Sequence, residues 1–268
     1  APGDGQPLRQ GVRAVAATLV TRARGGWHSG PMRALQRRWV ADCAVAAPLA
    51  AREVVDDVGH DLLTRWSEEH RRYHGLTHLS EVLAALDRLC ATRAVSAEDA
   101  TVAVLAAWFH DAVYSVTPAT PDRPGTTGAA AAARTAAVSN EAASADLAEH
   151  HLSALGVAAA TRQRVTASVL DTEHHDLGST AGEDPARVLL HDADLWILAA
   201  PVVRFDEYCA QVRAEYAHVR AAVYARERSA VLRPFLARDN VYRTEYARST
   251  WGSAARENLA RELTRLAG

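Results

Sequence analysis

The sequence contains no lysine, so all 30 of its basic side chains are arginines. Cysteine is also scarce, with three widely separated residues in 268. Isolated cysteines argue against a disulfide framework or a zinc ribbon and favour a reducing, cytoplasmic environment. The formal net charge of −2 gives no general attraction to nucleic acid, and no basic stripe or aromatic platform is visible. We therefore predict no nucleic-acid partner.

Long apolar runs are missing as well. No run reaches the ~18 residues that a membrane span needs, so no membrane partner is predicted. Residues 1–31 mix glycine and proline with a short apolar patch flanked by arginines. Because arginines follow the patch and no clean small-residue cleavage site is present, we interpret this segment as a loosely ordered leader. A single functional domain is predicted over residues 32–268.

The pattern of apolar residues predicts an all-α fold, a single helical bundle. From residue 33 onward apolar side chains recur at spacings of three and four, and sustained alternation typical of strands is absent. The abundant alanines and arginines are strong helix formers. Three boundary signals support this pattern: Ser96 with Asp99, Asp184 before Pro185, and Gly156. The last helix is predicted over residues 252–266, closing the bundle.

One segment interrupts the helical pattern. Residues 116–139 contain three prolines, two glycines and five threonines, which predicts a long loop insertion. It begins five residues after Asp111. Two interpretations stay open, a lid over a functional site and a disordered insertion.

Histidines and aspartates in three distant segments form a plausible set of metal ligands. Imidazole and carboxylate groups are the side chains that divalent metals commonly bind. A carboxylate among aliphatic residues costs several kcal/mol unless it is paired or metal-bound. Adjacent residues can reach one ion only where their helix ends or distorts. The set comprises His74 and His78, the adjacent pair His110 and Asp111, and Asp194.

Each of these residues also has a simpler interpretation. A lone histidine on an apolar face is more often a hydrogen-bonded core residue than a ligand. Asp192 is a rival of Asp194, and spacing alone does not separate the two. Taken together, several such residues on three predicted helices favour a metal site.

The ordered set resembles a known signature. His78, the pair His110 and Asp111, and Asp194 look like the H…HD…D signature of the HD-domain superfamily, all-helical metal-dependent phosphohydrolases. More narrowly, the chain from about Met32 to its C-terminus resembles the bacterial group called predicted metal-dependent HD-superfamily phosphohydrolases. The segments that carry this resemblance are 70–78, 109–114, 140–145, 192–195 and 213–216. Gly75 departs from the pattern, since many relatives carry Asn there, and so does the 116–139 insertion.

The resemblance implies roles for individual residues. It makes His78, His110, Asp111 and Asp194 the ligands of one or two divalent ions, such as Mn, Mg, Fe, Zn or Ni. It thereby favours Asp194 over Asp192. His74 becomes the acid that protonates the leaving oxygen. From the chemistry of metal-activated water, Asp111 either bridges to a second ion or orients the attacking water, and Glu141 is a candidate acid near the site or a water-mediated ligand.

The implied activity is hydrolysis of a phosphate ester on a small phosphorylated substrate, for example a nucleotide. Arg71 and Arg72 are candidates to clamp the phosphate, with surface arginines as the alternative. His174 and His175 are candidates for substrate or second-metal contacts and are equally interpretable as solvated histidines at a helix end; we assign His175 to substrate binding. Two alternatives stay open: a di-iron oxygenase on the same scaffold, which would need extra histidine ligands, and a non-catalytic nucleotide-sensing module.

Overall fold

The computed structural model of the protein describes residues 30–92, 95–116, 138–175 and 184–268. These ranges contain ten α-helices and two short 3₁₀ helices and no strand, so the all-α prediction is confirmed. The α-helices are α1 Gly30–Ala46, α2 Arg52–Trp66, α3 Leu76–Cys90, α4 Ala97–Phe109, α5 Asn140–Ala154, α6 Ala159–Leu170, α7 Pro185–Asp194, α8 Val202–Glu215, α9 Ala221–Ala237 and α10 Glu245–Ala267. The 3₁₀ helices are Asp171–Glu173 and Leu195–Ala199.

Two predicted segments fall largely outside the described residues. The predicted leader lies outside them up to residue 29, and α1 begins at Gly30, two residues before the predicted domain start. Residues 117–137 of the predicted insertion also lie outside them. Among the described helices, none is both long and apolar enough to cross a membrane.

The helix boundaries follow from local capping chemistry. The Ser96 side chain accepts the Asp99 backbone N–H at 3.0 Å and caps α4. Asp184 accepts the Ala186 N–H at 2.9 Å, with Pro185 at the first helical position of α7. Gly156 has a φ of 75° just after α5, a conformation that glycine adopts without strain. All three predicted boundaries are therefore confirmed.

The predicted start of the last helix is wrong by seven residues. Helix α10 begins at Glu245, where the Thr244 side chain accepts the Ala247 N–H at 3.1 Å. Gly252 lies inside the helix, where the packing of Trp251 into the core outweighs the weak helix propensity of glycine.

Buried tryptophans tie the N-terminal helices to the rest of the core. Trp39 on α1 donates to the Val55 carbonyl on α2 at 2.8 Å, so its one polar atom is satisfied. Trp66 at the end of α2 donates to the Trp108 carbonyl on α4 at 3.0 Å. This bond fixes the ends of α2 and α4 side by side. The Trp66 ring then packs 5.4 Å from the His110 ring.

Candidate metal centre and its histidine–glutamate neighbour

The predicted ligands meet where three helices begin or end. His78 lies in the first turn of α3, His110 is the C-cap of α4, and Asp194 is the last residue of α7. Because α4 ends at Phe109, the adjacent His110 and Asp111 both reach the same point, as the sequence required. The carbonyl ends of α4 and α7 carry negative partial charge, which favours a cation between them.

The ligand atoms form a tight cluster. His78 Nε2 lies 3.1 Å from His110 Nε2 and 3.1 Å from Asp194 Oδ1, and His110 Nε2 lies 3.5 Å from the same oxygen. Asp111 Oδ2 lies 3.6 Å from His78 Nε2 and 3.4 Å from His110 Nε2. The two histidines are buried, and the two aspartate side chains are 14% and 11% exposed.

These spacings match the edges of a coordination polyhedron. Ligands at about 2.1 Å from a common ion lie about 3.0 Å apart at octahedral angles and about 3.4 Å apart at tetrahedral angles. The five measured distances run from 3.1 to 3.6 Å. His78, His110 and Asp194 can therefore hold a metal ion. Two carboxylates and two neutral imidazoles also balance the charge of a divalent cation.

The tautomer of His110 fits the same role. Its Nδ1 lies 2.9 Å from the Ala107 carbonyl oxygen, which only accepts, so Nδ1 carries the proton and donates. A neutral His110 therefore presents the lone pair of Nε2 to the cluster. A backbone carbonyl that fixes the tautomer and the ring orientation is a common partner of metal-binding histidines.

The electrostatics of the cluster favour positive charge. Burial alone would lower the pKa of His78, but hydrogen bonds and charges from Asp111 and Asp194 outweigh it and raise the pKa to about 10. Burial alone would raise the pKa of Asp194, but the charges and hydrogen bonds of His110 and His78 hold it well below its ordinary value. A pocket that stabilises protons on its imidazoles in this way also stabilises a metal cation in their place.

The structure separates the two rival aspartates. Asp194 joins the cluster, whereas Asp192 is fully buried and faces away from it. Its carboxylate accepts the backbone N–H groups of Arg243 at 2.8 Å and Thr244 at 2.7 Å and the ring N–H of His191 at 3.0 Å. Asp192 thus anchors the start of α10.

Sequence reasoning assigned no role to Glu215, the last residue of α8. Its buried carboxylate contacts His74 Nδ1 at 2.7 Å and accepts the Tyr114 hydroxyl at 3.0 Å. It also accepts the backbone N–H groups of Arg72, Tyr73 and His74 at 2.7 to 3.0 Å. A carboxylate only accepts, so His74 Nδ1 donates and the opposite nitrogen, Nε2, stays free. The only signal for Glu215 in the sequence was its place in a segment that carries the resemblance.

His74 lies just before α3 and not in it. Helix α3 begins at Leu76 with Gly75 as its N-cap, so His74 belongs to the preceding turn. Its ring stacks on Tyr114 at 4.3 Å and lies 5.8 Å from the His78 ring. His74 is therefore beside the cluster but is not one of the atoms that form it.

The two predicted phosphate-clamping arginines differ in their surroundings. The Arg71 side chain is buried and donates to Glu68 and to three backbone carbonyls, those of His74, Asp111 and Ala112. Four of its five N–H groups are thus committed to the protein, and the guanidinium ties the His74 turn to the end of α4. Arg72 is exposed.

The remaining predicted residues surround the cluster. His175 Nε2 lies 3.5 Å from Asp194 Oδ2, the carboxylate oxygen that faces away from His78 and His110. His174 is exposed. Glu141, in the first turn of α5, is half-buried, and burial together with the charge of Asp111 raises its pKa. No contact places Glu141 among the atoms of the cluster.

Comparison with known proteins adds no assignment. No protein-family model matches the chain, and no curated protein is significantly similar to it. The inference of function therefore comes from the geometry of the site and from the sequence signature.

Proposed function

We propose that the protein is a metal-dependent phosphohydrolase that cleaves a phosphate ester of a small molecule. One observation carries the proposal: a histidine and aspartate cluster with metal-ligand spacing lies next to His74, a histidine whose ring is held by a buried carboxylate. The first feature suits binding of a phosphoryl oxygen, and the second suits transfer of a proton to a leaving group. The resemblance to HD-superfamily phosphohydrolases points the same way.

The chain's own residues have separate tasks in this proposal. His78, His110, Asp111 and Asp194 hold the ion, and the Ala107 carbonyl orients His110. When bound, a divalent ion polarises a phosphoryl oxygen and lowers the pKa of a neighbouring water. Burial alone would raise the pKa of Asp111, but the charges of the neighbouring histidines outweigh it and hold that pKa low. The Asp111 carboxylate therefore stays a hydrogen-bond acceptor, and it orients that water.

His74 supplies the proton. Its Nδ1–H stays bonded to Glu215, which holds the ring in place, and the proton leaves from Nε2 to the oxygen of the departing alcohol. The stacked Tyr114 ring and the three backbone bonds to Glu215 prevent the imidazole from turning away. As the bond from the water oxygen to phosphorus forms and the bond from phosphorus to the alcohol oxygen breaks, this proton transfer leaves His74 neutral. His74 then regains a proton from solvent, to which the attacking water has given up its own.

The His175 contact with Asp194 bears on the oxygenase alternative and on the number of ions. The two oxygens of Asp194 face different imidazoles, so Asp194 and His175 would be able to hold a second ion beside the first. A dinuclear site serves hydrolysis as well as oxygen chemistry. The His74 and Glu215 pair favours hydrolysis, because a positioned acid is required to expel an alkoxide.

A comparison of two substrates tests the proposal. His74→Ala is expected to retain bound metal and to lose about 10²–10⁴-fold in kcat on an alkyl phosphate ester. The loss on an aryl ester with an activated leaving group is expected to be much smaller, because that leaving group needs no proton. His60→Ala, which changes an exposed histidine on α2, is the matched control.

Three outcomes would contradict the proposal. If wild-type protein loaded with Mn²⁺ or Mg²⁺ hydrolyses neither ester, the proposed activity is excluded. If His74→Ala loses kcat equally on both esters, the acid role of His74 is excluded. Loss of metal from His74→Ala would make His74 a ligand.

A further inference from the structure

A half-buried arginine near the metal centre, Arg228, has no carboxylate partner among the described residues. Within the described residues, the Arg228 guanidinium on α9 has one hydrogen-bond acceptor, the hydroxyl of Tyr208, and it lies 5.1 Å from the centre of that ring. Arg204, by contrast, is paired with Glu81 at 2.6 Å. Because the Nε atom of Arg228 is shielded from solvent and no carboxylate among the described residues pairs with it, an anion in contact with Arg228 would be stabilised.

Within the part of the chain that the structure describes, further donors around Arg228 also lack acceptors. The Nε atom of Arg228 and the hydroxyls of Tyr224 and Tyr73 are buried without a hydrogen-bond partner. Tyr224 precedes Arg228 by one helical turn and so shares its face of α9. Burial raises the pKa of Tyr224 to about 12 against the opposing charge of Arg228, so the hydroxyl keeps its proton at neutral pH. We call Tyr73, Tyr208, Tyr224 and Arg228 the tyrosine–arginine cluster.

This cluster adjoins the metal centre. The Tyr73 ring lies 4.5 Å from the Tyr208 ring on one side and 4.6 Å from the His78 ring on the other. The charge of Asp194 acts on the hydroxyls of both tyrosines. The cluster and the metal centre are therefore adjacent, with the Tyr73 ring between the rings of Tyr208 and His78.

We infer that the tyrosine–arginine cluster binds a second anionic group, phosphate or carboxylate, of a substrate whose ester phosphate lies at the metal centre. Each of the unpartnered groups can donate a hydrogen bond, and an oxyanion offers several acceptors in a small volume. The substrate class is then a phosphate ester with a second negative group, such as a bisphosphate or a phosphorylated carboxylic acid. The assignment to a substrate rests on the proposed function, whereas anion binding by Arg228 does not.

Calorimetric titration with sulfate at constant ionic strength tests anion binding without catalysis. Sulfate is a tetrahedral oxyanion and a weak ligand for divalent metals. Arg228→Gln is expected to weaken sulfate binding by about 10-fold or more, since hydrogen bonds to charged groups are the strong ones. Tyr224→Phe, which removes one donor, is expected to weaken it by a smaller factor. Arg226→Gln, an exposed change on the same helix, is expected to have no effect.

Kinetics with matched substrates test the substrate class. Wild-type protein is expected to favour 3-phosphoglycerate over glycerol 3-phosphate, and fructose 1,6-bisphosphate over fructose 6-phosphate, through a lower KM. The first pair tests a carboxylate and the second a phosphate, and Arg228→Gln should abolish the preference.

The results distinguish failure of the proposed function from failure of the anion-binding inference. If the protein hydrolyses none of these esters, the proposed function falls and the sulfate titration still decides the anion site. The inference is overturned if the wild type does not bind sulfate, or if Arg228→Gln binds it as tightly as the wild type. Should Arg228→Gln fail to fold, Tyr224→Phe decides, and unchanged sulfate affinity in that variant would overturn the inference.

Discussion

Replacing Glu215 by glutamine removes a charge from a carboxylate that receives five hydrogen bonds. Glutamine has nearly the same volume, so packing is conserved and the change is electrostatic. One oxygen becomes an NH₂ group, which faces either donors of the backbone or the N–H of His74. In either arrangement the new NH₂ group faces a buried N–H group, so two donors meet without an acceptor between them. The His74 ring also loses the carboxylate that orients it.

The size of the effect follows from the pKa of Glu215. Burial alone would raise that pKa, but the hydrogen bond and charge of His74 and the backbone N–H groups outweigh burial and lower it from 4.5 to about 2. At about 1.4 kcal/mol for each pH unit, the ionised carboxylate contributes about 3 kcal/mol to the free energy of unfolding. Because the folded pKa is the lower one, the contribution is complete above pH 4.5 and is lost as pH falls towards 2.

Urea denaturation followed by circular dichroism measures this contribution. At pH 7, Glu215→Gln is expected to lower the free energy of unfolding by about 3 kcal/mol relative to the wild type, and at pH 3 by about 1.4 kcal/mol. Glu207→Gln, an exposed change on the same helix, is the control. A difference that stays constant between pH 7 and pH 3, or one no larger than that of the control, would refute the reasoning.

Other changes probe the packing and the rival aspartate. Gly59→Ala would place a Cβ 2.5 Å from a ring carbon of Trp39 and is expected to lower the free energy of unfolding by about 1–3 kcal/mol. Gly252→Ala has open space around it and is expected to stabilise α10 by about 0.5–1 kcal/mol. Calorimetric unfolding measures both glycine variants, and equal changes in their free energies of unfolding would contradict the packing described around Gly59. Asp192→Asn weakens the hydrogen bonds that Asp192 accepts from the start of α10 and is expected to lower the free energy of unfolding by about 1–3 kcal/mol while metal stays bound. Loss of metal from this variant would refute the separation of Asp192 from Asp194.

The sequence predicts features that depend on near neighbours. The caps at Ser96 and Asp184 involve residues two or three positions apart, and the chemistry of those residues suffices to place them. The proximity of His110 and Asp111 follows from a single helix end. Their meeting with His78 and Asp194 depends on packing between helices, and only the order of the residues in a recognised signature indicated it.

Other features depend on contacts that no local pattern reveals. Glu215 is 141 positions from His74, and nothing in its own segment shows that three backbone N–H groups surround it. Arg71 and Arg72 share one prediction, a phosphate clamp, because they are adjacent in the sequence, yet the aromatic faces of Trp66 and Tyr114 draw the Arg71 guanidinium inward. The start predicted at Gly252 lies inside α10, where burial of the neighbouring Trp251 decides the conformation.

The most direct test of the central claim is the number of divalent ions bound per chain, measured by plasma mass spectrometry after dialysis. Wild-type protein is expected to retain about one ion or more, and Asp194→Asn is expected to lose it while keeping its helical circular dichroism, because the variant removes one of the cluster's carboxylate ligands. Retention of the ion by Asp194→Asn, or a wild type that binds no divalent ion at saturating concentration, would contradict the account.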